Sequence, residues 1–464
     1  MDHMNSVPVG ATGSKQQFRD FPSGDPEDLT SGPLESKDMQ NSISKSSLWR
    51  PWTPITEQAN SMRIVEARGN RVRDAEGNWY LDGISGVLNA SCGHGHPRLI
   101  EAATQQFQQL VHYDPMVSSH DPAETLTSRL AEILPGELNE TCLLNSGSEA
   151  TEAAIRIALQ YWRNIGEDRN RVITFEAAYH GTTFLAQQLS GLPFTVSEWV
   201  PPFPIDHVSL PASPRAVRTE EGADALVAQF ARALESGPPA AAVMVEPLLG
   251  LGGCVVLPTG FLARLRELCD RHGALLILDE VFCGFGRTGR MFGFEHDGIT
   301  PDIVTMSKGI SGGYLPLAAT TVTSAIKETF KREPVAQGLR YGHTTGGHAV
   351  ASAVANAVLD VMAEEKLVEN SATQGATLLE GLRQLESSPL ITDVRGLGLV
   401  VAIETDTPES AAAIAAAVAQ AGVMTRHERG VIRIAPPLTI TADDTVELLG
   451  AIGTAVDVAS AAHR

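Results

Sequence analysis

The sequence is poor in cysteine and has neither a membrane-length apolar run nor an excess of basic residues. Its five cysteines, at positions 92, 142, 254, 269 and 283, are widely spaced and form no C-x-x-C pair. This spacing argues against a disulfide framework or a metal site and indicates a reducing compartment. No segment approaches the roughly 20 apolar residues of a membrane span, and no basic-then-apolar leader opens the chain. We therefore expect a cytoplasmic protein without membrane contact.

Acidic residues outnumber basic ones in the 464-residue chain, with 55 Asp and Glu against 35 Lys and Arg, a net charge of −20. A surface of this sign repels the phosphates of nucleic acids, so we expect no nucleic-acid partner. The hydrophobic content of 43% and the charged content of 19% are ordinary for a globular protein. The length allows two or three domains, or one large domain with a smaller one.

Composition divides the chain into four predicted segments. Residues 1–45 are rich in Ser, Gly, Pro, Asp and Gln, which predicts a disordered tail. Residues 46–97 contain a hairpin pattern and are predicted to join a smaller domain. Residues 98–344 alternate helix and strand patterns, as in a large domain with a doubly wound, mostly parallel sheet. Residues 345–464 combine Ala-rich helices with short strands, which predicts a smaller α+β domain.

Two predicted strands of this α/β sheet end on residues suited to chemistry. The apolar run Ala274–Leu278 ends on Asp279, and the run from Ile303 ends just before Lys308. In an open α/β sheet, ligands bind at the carboxyl ends of the strands. A lysine and a carboxylate at that edge suit pyridoxal phosphate, because the lysine binds the cofactor aldehyde and the carboxylate keeps the pyridine nitrogen protonated. We therefore predict Lys308 and Asp279 as the catalytic pair.

The residues around this pair resemble class III aminotransferases that use pyridoxal phosphate. The segment from Asp279 to Gly289 reads DEVFCGFGRTG, and four further motifs follow the order found in that family. The resemblance runs from about Trp49 to the C-terminal helix. It implies fold type I, pyridoxal 5'-phosphate as the cofactor, and an active site built between the two subunits of a homodimer.

The segment Ser146-Gly147-Ser148 follows a strand-like run and opens a predicted helix. Free N–H groups at the start of a helix bind phosphate, although an ordinary serine N-cap explains the same residues. In the family the cofactor phosphate lies on this turn. The resemblance therefore assigns Ser146, Gly147 and Ser148 to cofactor binding.

The resemblance also assigns residues around the cofactor ring. Tyr179 is expected to stack on one face and Val281 to cover the other, whereas His180 is expected to be structural. Glu246, at the end of another strand, is also assigned to the cofactor site. Thr344 matches a hydroxyl that reaches the phosphate site of the partner subunit. A Gly-rich turn between the domains is a compatible explanation of the Thr344 segment.

Substrate recognition is predicted from two arginines and an apolar wall. Arg433 matches an arginine that clamps a substrate carboxylate, and Arg426 lies where other relatives place a mobile arginine of that kind. Either arginine could instead form a surface salt bridge. Relatives carry a masking carboxylate at the position of Leu251, so Arg433 is expected to lack an anionic partner. Val87 and Leu88 are expected to line the substrate side, which predicts a mainly apolar pocket.

The nearest subgroup by resemblance is that of the diaminopelargonate aminotransferases, through the segments Trp49–Pro54 and Ala158–Trp162. Thr182 and the pair Gly86-Val87 depart from that group, so we expect a different substrate. The resemblance implies ping-pong transfer of an amino group between a primary amine or ω-amino acid and a pyruvate-type or 2-oxoglutarate-type keto acid. Such a reaction would serve biosynthesis or catabolism.

Two other functions remain open from the sequence. An aminomutase, racemase or decarboxylase could use the same fold and the same Lys/Asp pair, because a fold does not determine the reaction. A protein that binds the cofactor without turnover is the third possibility. Candidate amines that convert the cofactor to its amine form, reversibly with a keto acid, would distinguish transfer from both alternatives.

Overall fold

The computed structural model describes residues 47–56, 62–195, 201–211 and 213–463. The chain divides into two compact units, Met1–Met62 and Arg63–Arg464. In the first unit the described residues form irregular chain and short turns, and the predicted tail, residues 1–45, lies outside the described residues. All of the strands and helices below belong to the second unit.

The strands were numbered along the chain. They are β1 Ile64–Arg68, β2 Arg71–Asp74, β3 Trp79–Asp82, β4 Leu138–Leu144, β5 Arg171–Phe175, β6 Ile205–Val208, β7 Ala240–Val245, β8 Leu248–Leu249, β9 Val255–Val256, β10 Leu275–Asp279, β11 Ile303–Met306, β12 Ala318–Thr323, β13 Ile391–Gly396, β14 Val401–Thr405, β15 Val423–Met424, β16 Arg426–Glu428 and β17 Val431–Ile434.

The α-helices of more than one turn lie between and after these strands. They are Pro97–Gln109, Asp121–Ile133, Gly147–Asn164, Phe184–Leu189, Glu220–Glu235, Phe261–His272, Ser324–Thr329, Ala349–Glu364, Leu367–Arg383, Pro408–Gln420 and Ala442–His463. Shorter helical turns lie at Ser85–Leu88 and Pro214–Val217.

A seven-stranded sheet in the order β4-β12-β11-β10-β7-β5-β6 forms the centre of the fold. Strand β12 runs antiparallel to both of its neighbours, whereas the pairs among β11, β10, β7, β5 and β6 are parallel. Every residue of β7 and β10 is buried, as expected for strands covered on both faces by helices. The predicted α/β class with a mostly parallel sheet is confirmed.

The βαβ unit between β7 and β10 shows how local sequence sets these elements. Its helix begins at Phe261, and Gly260, with a φ of 80°, is the N-cap. Leu262, Leu265 and Leu268 are buried on one face of the helix. Gly273 ends the helix with a φ of 64°, a left-handed conformation that glycine adopts without a Cβ penalty.

Two smaller sheets contain the C-terminal strands. One has the order β13-β14-β17-β16, and in the other, β1-β2-β3-β15, the N-terminal strand β3 pairs in parallel with β15. Strand β14 begins at Val401. Gly398 has a φ of 56° and belongs to the turn before β14. The predicted domain boundaries at 97 and 344 stay predictions.

The C-terminal helix Ala442–His463 is the one helix in the described chain that is long and apolar enough to cross a membrane, judged by length and composition. It packs against the helices Leu367–Arg383 and Pro408–Gln420. Leu448 and Ile452 are buried on it. Some of its apolar residues therefore serve helix packing.

Candidate active site

A cavity of about 180 Å³ opens where β7, β10 and β11 reach their carboxyl ends. The strands end side by side because they are parallel neighbours in the central sheet. The cavity therefore collects the side chains that follow each strand. Its walls are Gly147, Ser148, Tyr179, His180, Gly181, Glu246, Leu251, Asp279, Val281, Phe282, Ser307 and Lys308.

Asp279 is held by three hydrogen bonds at the end of β10. Its carboxylate accepts from the Val281 N–H at 3.0 Å and from Thr305 Oγ1 at 3.1 Å. The third partner is His180, whose Nδ1 lies 2.8 Å from Asp279 Oδ2. An ionised carboxylate only accepts, so this bond places the imidazole proton on Nδ1. Both side chains are almost fully buried, and His180 fixes the direction of the Asp279 carboxylate.

Lys308 lies two residues after the end of β11, with Ser307 between them. Its φ is 39°, in the left-handed region that L-residues rarely adopt. Its amine lies 6.0 Å from the centre of the Phe282 ring. Burial lowers the pKa of Lys308, and the carboxylates of Asp279 and Glu246 oppose this in part. A lowered pKa increases the fraction of neutral amine near neutral pH, and the neutral amine is the form that acts as a nucleophile or base.

Glu246 is part of the cavity wall, and its carboxylate connects the segments that follow two strands. It accepts hydrogen bonds from the Tyr179 N–H at 3.0 Å and from the Gly250 N–H at 3.0 Å. Burial raises the pKa of Glu246 to about 7. Burial also raises the pKa of the Tyr179 hydroxyl, which keeps that ring neutral. Glu246 thereby positions the backbone that carries Tyr179.

The start of the helix Gly147–Asn164 forms the other side of the cavity. Ser146 caps the helix by accepting from the Glu149 N–H at 3.3 Å, and Ser146 is not among the cavity residues. Ser148 Oγ accepts from the Thr182 N–H at 3.0 Å. A Cβ on Gly147 would come within 2.9 Å of Val281, so only glycine lets the helix start approach so closely. The free N–H groups of this helix start suit an anion.

A second cavity of about 440 Å³ lies next to the first, and Leu251 lines both. Arg433 lines the second cavity, is 4% exposed, and donates from Nη2 to Glu428 Oε2 at 3.0 Å. The expectation that Arg433 lacks an anionic partner is therefore wrong. Leu251 cannot mask it, but β16 brings Glu428 alongside. Arg426 faces Arg433 across the β16/β17 pair, is exposed and lines neither cavity.

Three other predicted residues lie away from both cavities. Val87 is 56% exposed, and Leu88 is buried in an apolar cluster with Phe282. Neither residue lines the two cavities. Thr344 is exposed and lines a surface cavity of about 1290 Å³ that contains none of the Lys308 cavity residues. A role for Thr344 in cofactor binding would therefore have to be in a second subunit.

Sequence reasoning missed two partners that the structure supplies. His180 was expected to be structural, yet it bonds to Asp279 from 99 residues away in the chain. Its place directly after Tyr179 at the end of β5 was the available signal. Glu428 precedes the Arg429-Gly430 turn, and Gly430 has a φ of 82°. That turn signal predicts a hairpin and could have placed Glu428 beside Arg433.

Comparison with known proteins gives consistent matches. A family model described as aminotransferase class-III matches residues 55–456. The chain is 38% identical over 409 residues to the uncharacterized aminotransferase YhxA of Bacillus subtilis, covering 83% of this chain and 90% of that protein. It is 35% identical over 439 residues to the adenosylmethionine-8-amino-7-oxononanoate aminotransferase of Nitratidesulfovibrio vulgaris, covering 89% of this chain and 81% of that protein.

Solved structures agree with the sequence relatives. An (S)-enantioselective omega-transaminase from Thermomicrobium roseum matches with a TM-score of 0.86 and 33% identity, covering 92% of this chain and 100% of that chain. A transaminase from the marine bacterium Virgibacillus matches with a TM-score of 0.86 and 30% identity over the same shares. These four proteins are all named aminotransferases or transaminases. The comparisons therefore do not favour the mutase, racemase, decarboxylase or non-catalytic alternatives.

Proposed function

The chain belongs to the class-III aminotransferase family and is an aminotransferase, and we propose that it uses pyridoxal 5'-phosphate in the Lys308 cavity. The observation that carries this proposal is the convergence of Lys308 and Asp279 in one cavity, with Asp279 oriented by His180. A lysine of lowered pKa beside an oriented, buried carboxylate is the pair that this cofactor requires.

The donor set of the cavity fits the cofactor. Lys308 offers an amine for the aldehyde, and Asp279 offers a carboxylate for the pyridine nitrogen. Tyr179 and Val281 supply an aromatic and an apolar surface for the ring. The helix start with Ser146, Gly147 and Ser148 would hold the phosphate through backbone N–H groups. When bound, pyridoxal phosphate supplies the electron sink for the substrate carbon that carries the amine.

Each residue around the Lys308 cavity would have its own role in amino-group transfer. His180 and Thr305 hold the Asp279 carboxylate in one orientation through their hydrogen bonds. The neutral amine Nζ of Lys308 would accept a proton from the substrate carbon that carries the amino group, and the resulting ammonium would donate that proton again to complete the transfer. Its lowered pKa suits this role because a general base works best when its pKa is near the working pH. Leu251 and Phe282 exclude water from that side of the cavity.

We further propose an amine substrate with an apolar or aromatic body, alternating in the same site with a small amino/keto acid pair. Leu251 and Phe282 give the cavity apolar surface. Arg433 in the adjoining cavity is the candidate for the acid carboxylate, because its planar fork suits bidentate recognition. The omega-transaminase from Thermomicrobium roseum supports an amine substrate. Reaction by a ping-pong scheme follows from one site serving both substrates.

A homodimer in the cytoplasm completes the proposal. Thr344 is exposed beside a surface cavity of about 1290 Å³, and Met116 in the wall of that cavity is 86% exposed. The neighbouring Val117 is 76% exposed. Exposed apolar side chains grouped beside a large cavity mark an interaction surface. A second subunit on this surface would bring Thr344 to its partner's phosphate site.

Borohydride reduction of the cofactor-loaded protein tests the proposal. Reduction fixes the cofactor on the amine that holds it, and peptide mapping should find the label on Lys308. A label on Lys327 or Lys331 would refute the assignment, since both are exposed and neither lines the Lys308 cavity. Candidate amines should convert the unreduced protein to the pyridoxamine form, and a keto acid should reverse the conversion. Carbon dioxide release or loss of stereochemistry without transfer would instead favour an alternative reaction.

A further inference from the structure

One face of the β13-β14-β17-β16 sheet carries charged residues in two adjacent rows. Opposite residues of antiparallel strands lie on the same face, and the register places the basic residues in one row and the acidic residues in the next. The basic row is Arg395, Arg433 and Arg426, with Ala402 between the first two, and the acidic row is Asp393, Glu404 and Glu428, with Val431 between the last two. Four of these side chains, those of Arg395, Glu404, Glu428 and Arg433, line the 440 Å³ cavity.

The two buried arginines on this face are held differently. Arg395 is 1% exposed and bonds to Asp393, to Glu404 and twice to the carbonyl of Gly253. Arg433 is 4% exposed, and the one hydrogen bond of its side chain within the described chain is to Glu428. The charge of Arg395 is thus satisfied from several directions, whereas that of Arg433 depends on a single carboxylate.

Glu428 is placed so that it can leave Arg433. It lies at the end of the edge strand β16, and its side chain is 29% exposed. Its second oxygen, Oε1, is 4.0 Å from Nε of Arg429 at the tip of the hairpin. A rotation of the Glu428 side chain toward Arg429 and solvent would keep the carboxylate hydrated and paired. The backbone of β16 would not need to move.

We propose that Glu428 is a specificity-determining residue that competes with substrate carboxylates for Arg433. With a carboxylate-free amine in the Lys308 cavity, Glu428 neutralises Arg433. When an amino or keto acid enters, its carboxylate takes the Arg433 fork and Glu428 turns toward Arg429. The assignment rests on the proposed function, because it presumes that both substrates use this site.

Electrostatics supports the exchange. A buried arginine left without an anion is costly, so one carboxylate must replace another as substrates alternate. The charge of Arg433 also contributes to lowering the pKa of Lys308, which places Arg433 within electrostatic reach of the reacting amine. Leu251 separates the two cavities without adding a charge. Arg429 donates to the Leu251 carbonyl at 3.4 Å, which links the hairpin tip to that partition.

The test compares Glu428→Gln with Glu404→Gln in the cofactor-loaded protein. Glu404 lies on the same face and in the same cavity but pairs with Arg395, so it is the matched control. Calorimetric titration with sodium butyrate measures carboxylate binding without turnover. Removing a competitor that occupies Arg433 most of the time should tighten butyrate binding by roughly tenfold in Glu428→Gln, whereas Glu404→Gln should change little. Arg433→Gln should abolish the gain in the double variant.

Half-reactions provide the second measurement. In Glu428→Gln, the apparent dissociation constant for alanine should fall as it does for butyrate, whereas that for 1-phenylethylamine should not fall, because this amine has no carboxylate for Arg433. Unchanged butyrate binding in Glu428→Gln, or an equal gain in Glu404→Gln, would overturn the assignment of Glu428. If butyrate binds more tightly but neither amine donor reacts, the assignment stands and the proposed substrates are wrong.

Discussion

At the scale of single residues, the active site depends on buried charges that are held by named partners. Asp279 has three hydrogen-bond donors, from the Val281 backbone and from the side chains of Thr305 and His180. The site therefore does not rely on solvent to orient this carboxylate. The Arg433 guanidinium is likewise held by a protein group, the carboxylate of Glu428. Substitutions that keep the shape but remove the charge are the sharpest tests of these residues.

Asp279→Asn should keep the fold and lower the transamination rate by roughly 10²-fold or more, the scale expected when a charge aimed at the reacting system is lost. The amide retains the size of the carboxylate but cannot hold the pyridine nitrogen protonated. Single-turnover kinetics with an amine donor measure the effect, and cofactor binding should weaken less than the rate. A rate close to that of the wild type would mean that another carboxylate keeps the pyridine nitrogen protonated, and Glu246 would be the first candidate.

At the scale of elements, the strand ends are connected by buried carboxylates that accept backbone hydrogen bonds. Glu280, directly after β10, accepts from the N–H groups of Gly293 and Phe294 at 2.9 Å each. Burial raises the pKa of Glu280 to about 8. Glu246, directly after β7, likewise accepts from the N–H groups of Tyr179, in the segment after β5, and of Gly250. These contacts join the carboxyl ends of β7 and β10 to the turns that follow them.

The stability of the cofactor-free protein should fall as the pH rises from about 5 to 8. The pKa of Glu280 is raised above its unfolded value, so its contribution is present at low pH and is lost as the pH rises toward about 8. Urea unfolding at several pH values measures this. Glu280→Gln should reduce the loss by about 1.4 kcal/mol or more, the equivalent of one pKa unit. The exposed Glu235→Gln is the control, and equal pH slopes in both variants would refute the prediction.

Ser146→Ala should lower the free energy of unfolding by about 1 kcal/mol through loss of the helix cap. Thr219→Ala provides the matched control, since Thr219 caps the helix Glu220–Glu235 by accepting from the Gly222 N–H at 3.0 Å. Both variants should lose similar stability, but only Ser146→Ala should also weaken cofactor binding in equilibrium dialysis. Equal cofactor affinity in the two variants would leave Ser146 as a cap alone and remove it from the phosphate site.

At the scale of the whole molecule, the single chain brings most of the predicted cofactor residues into one cavity but leaves Thr344 on its surface. The exposed Met116 and Val117 beside Thr344 would be covered in a dimer. An obligate homodimer commonly buries on the order of 2,000 Å² or more of surface. The proposed role of Thr344 therefore requires the dimer.

Sedimentation of the wild-type protein should show a dimer at working concentrations. Thr344→Val should remain dimeric yet release the cofactor more readily on dialysis, because it loses a hydroxyl and keeps its volume. Ser324→Val, in the helix Ser324–Thr329 and not in the wall of the surface cavity that Thr344 lines, should change neither property. A fully active monomer would contradict both the assembly and the role of Thr344.

The sequence by itself determined the fold class and the likeness to class III aminotransferases. It also indicated that Lys308 and Asp279 would meet. Buried parallel strands appear as short apolar runs, and their carboxyl ends share one edge of the sheet. The residue that follows each run can therefore be placed without coordinates. The close approach of Gly147 to Val281 also requires glycine, which the motif already contained.

Tertiary structure alone decided the partners of these residues. His180 meets Asp279 across 99 positions, and Glu428 meets Arg433 diagonally across a strand pair. Local sequence periodicity predicts neither contact, because side-chain partners depend on strand order and register. A shift of one residue in the β16/β17 register would turn Glu428 to the opposite face and leave Arg433 without its anion. The masking of Arg433 is therefore a property of the register and not of the family motif.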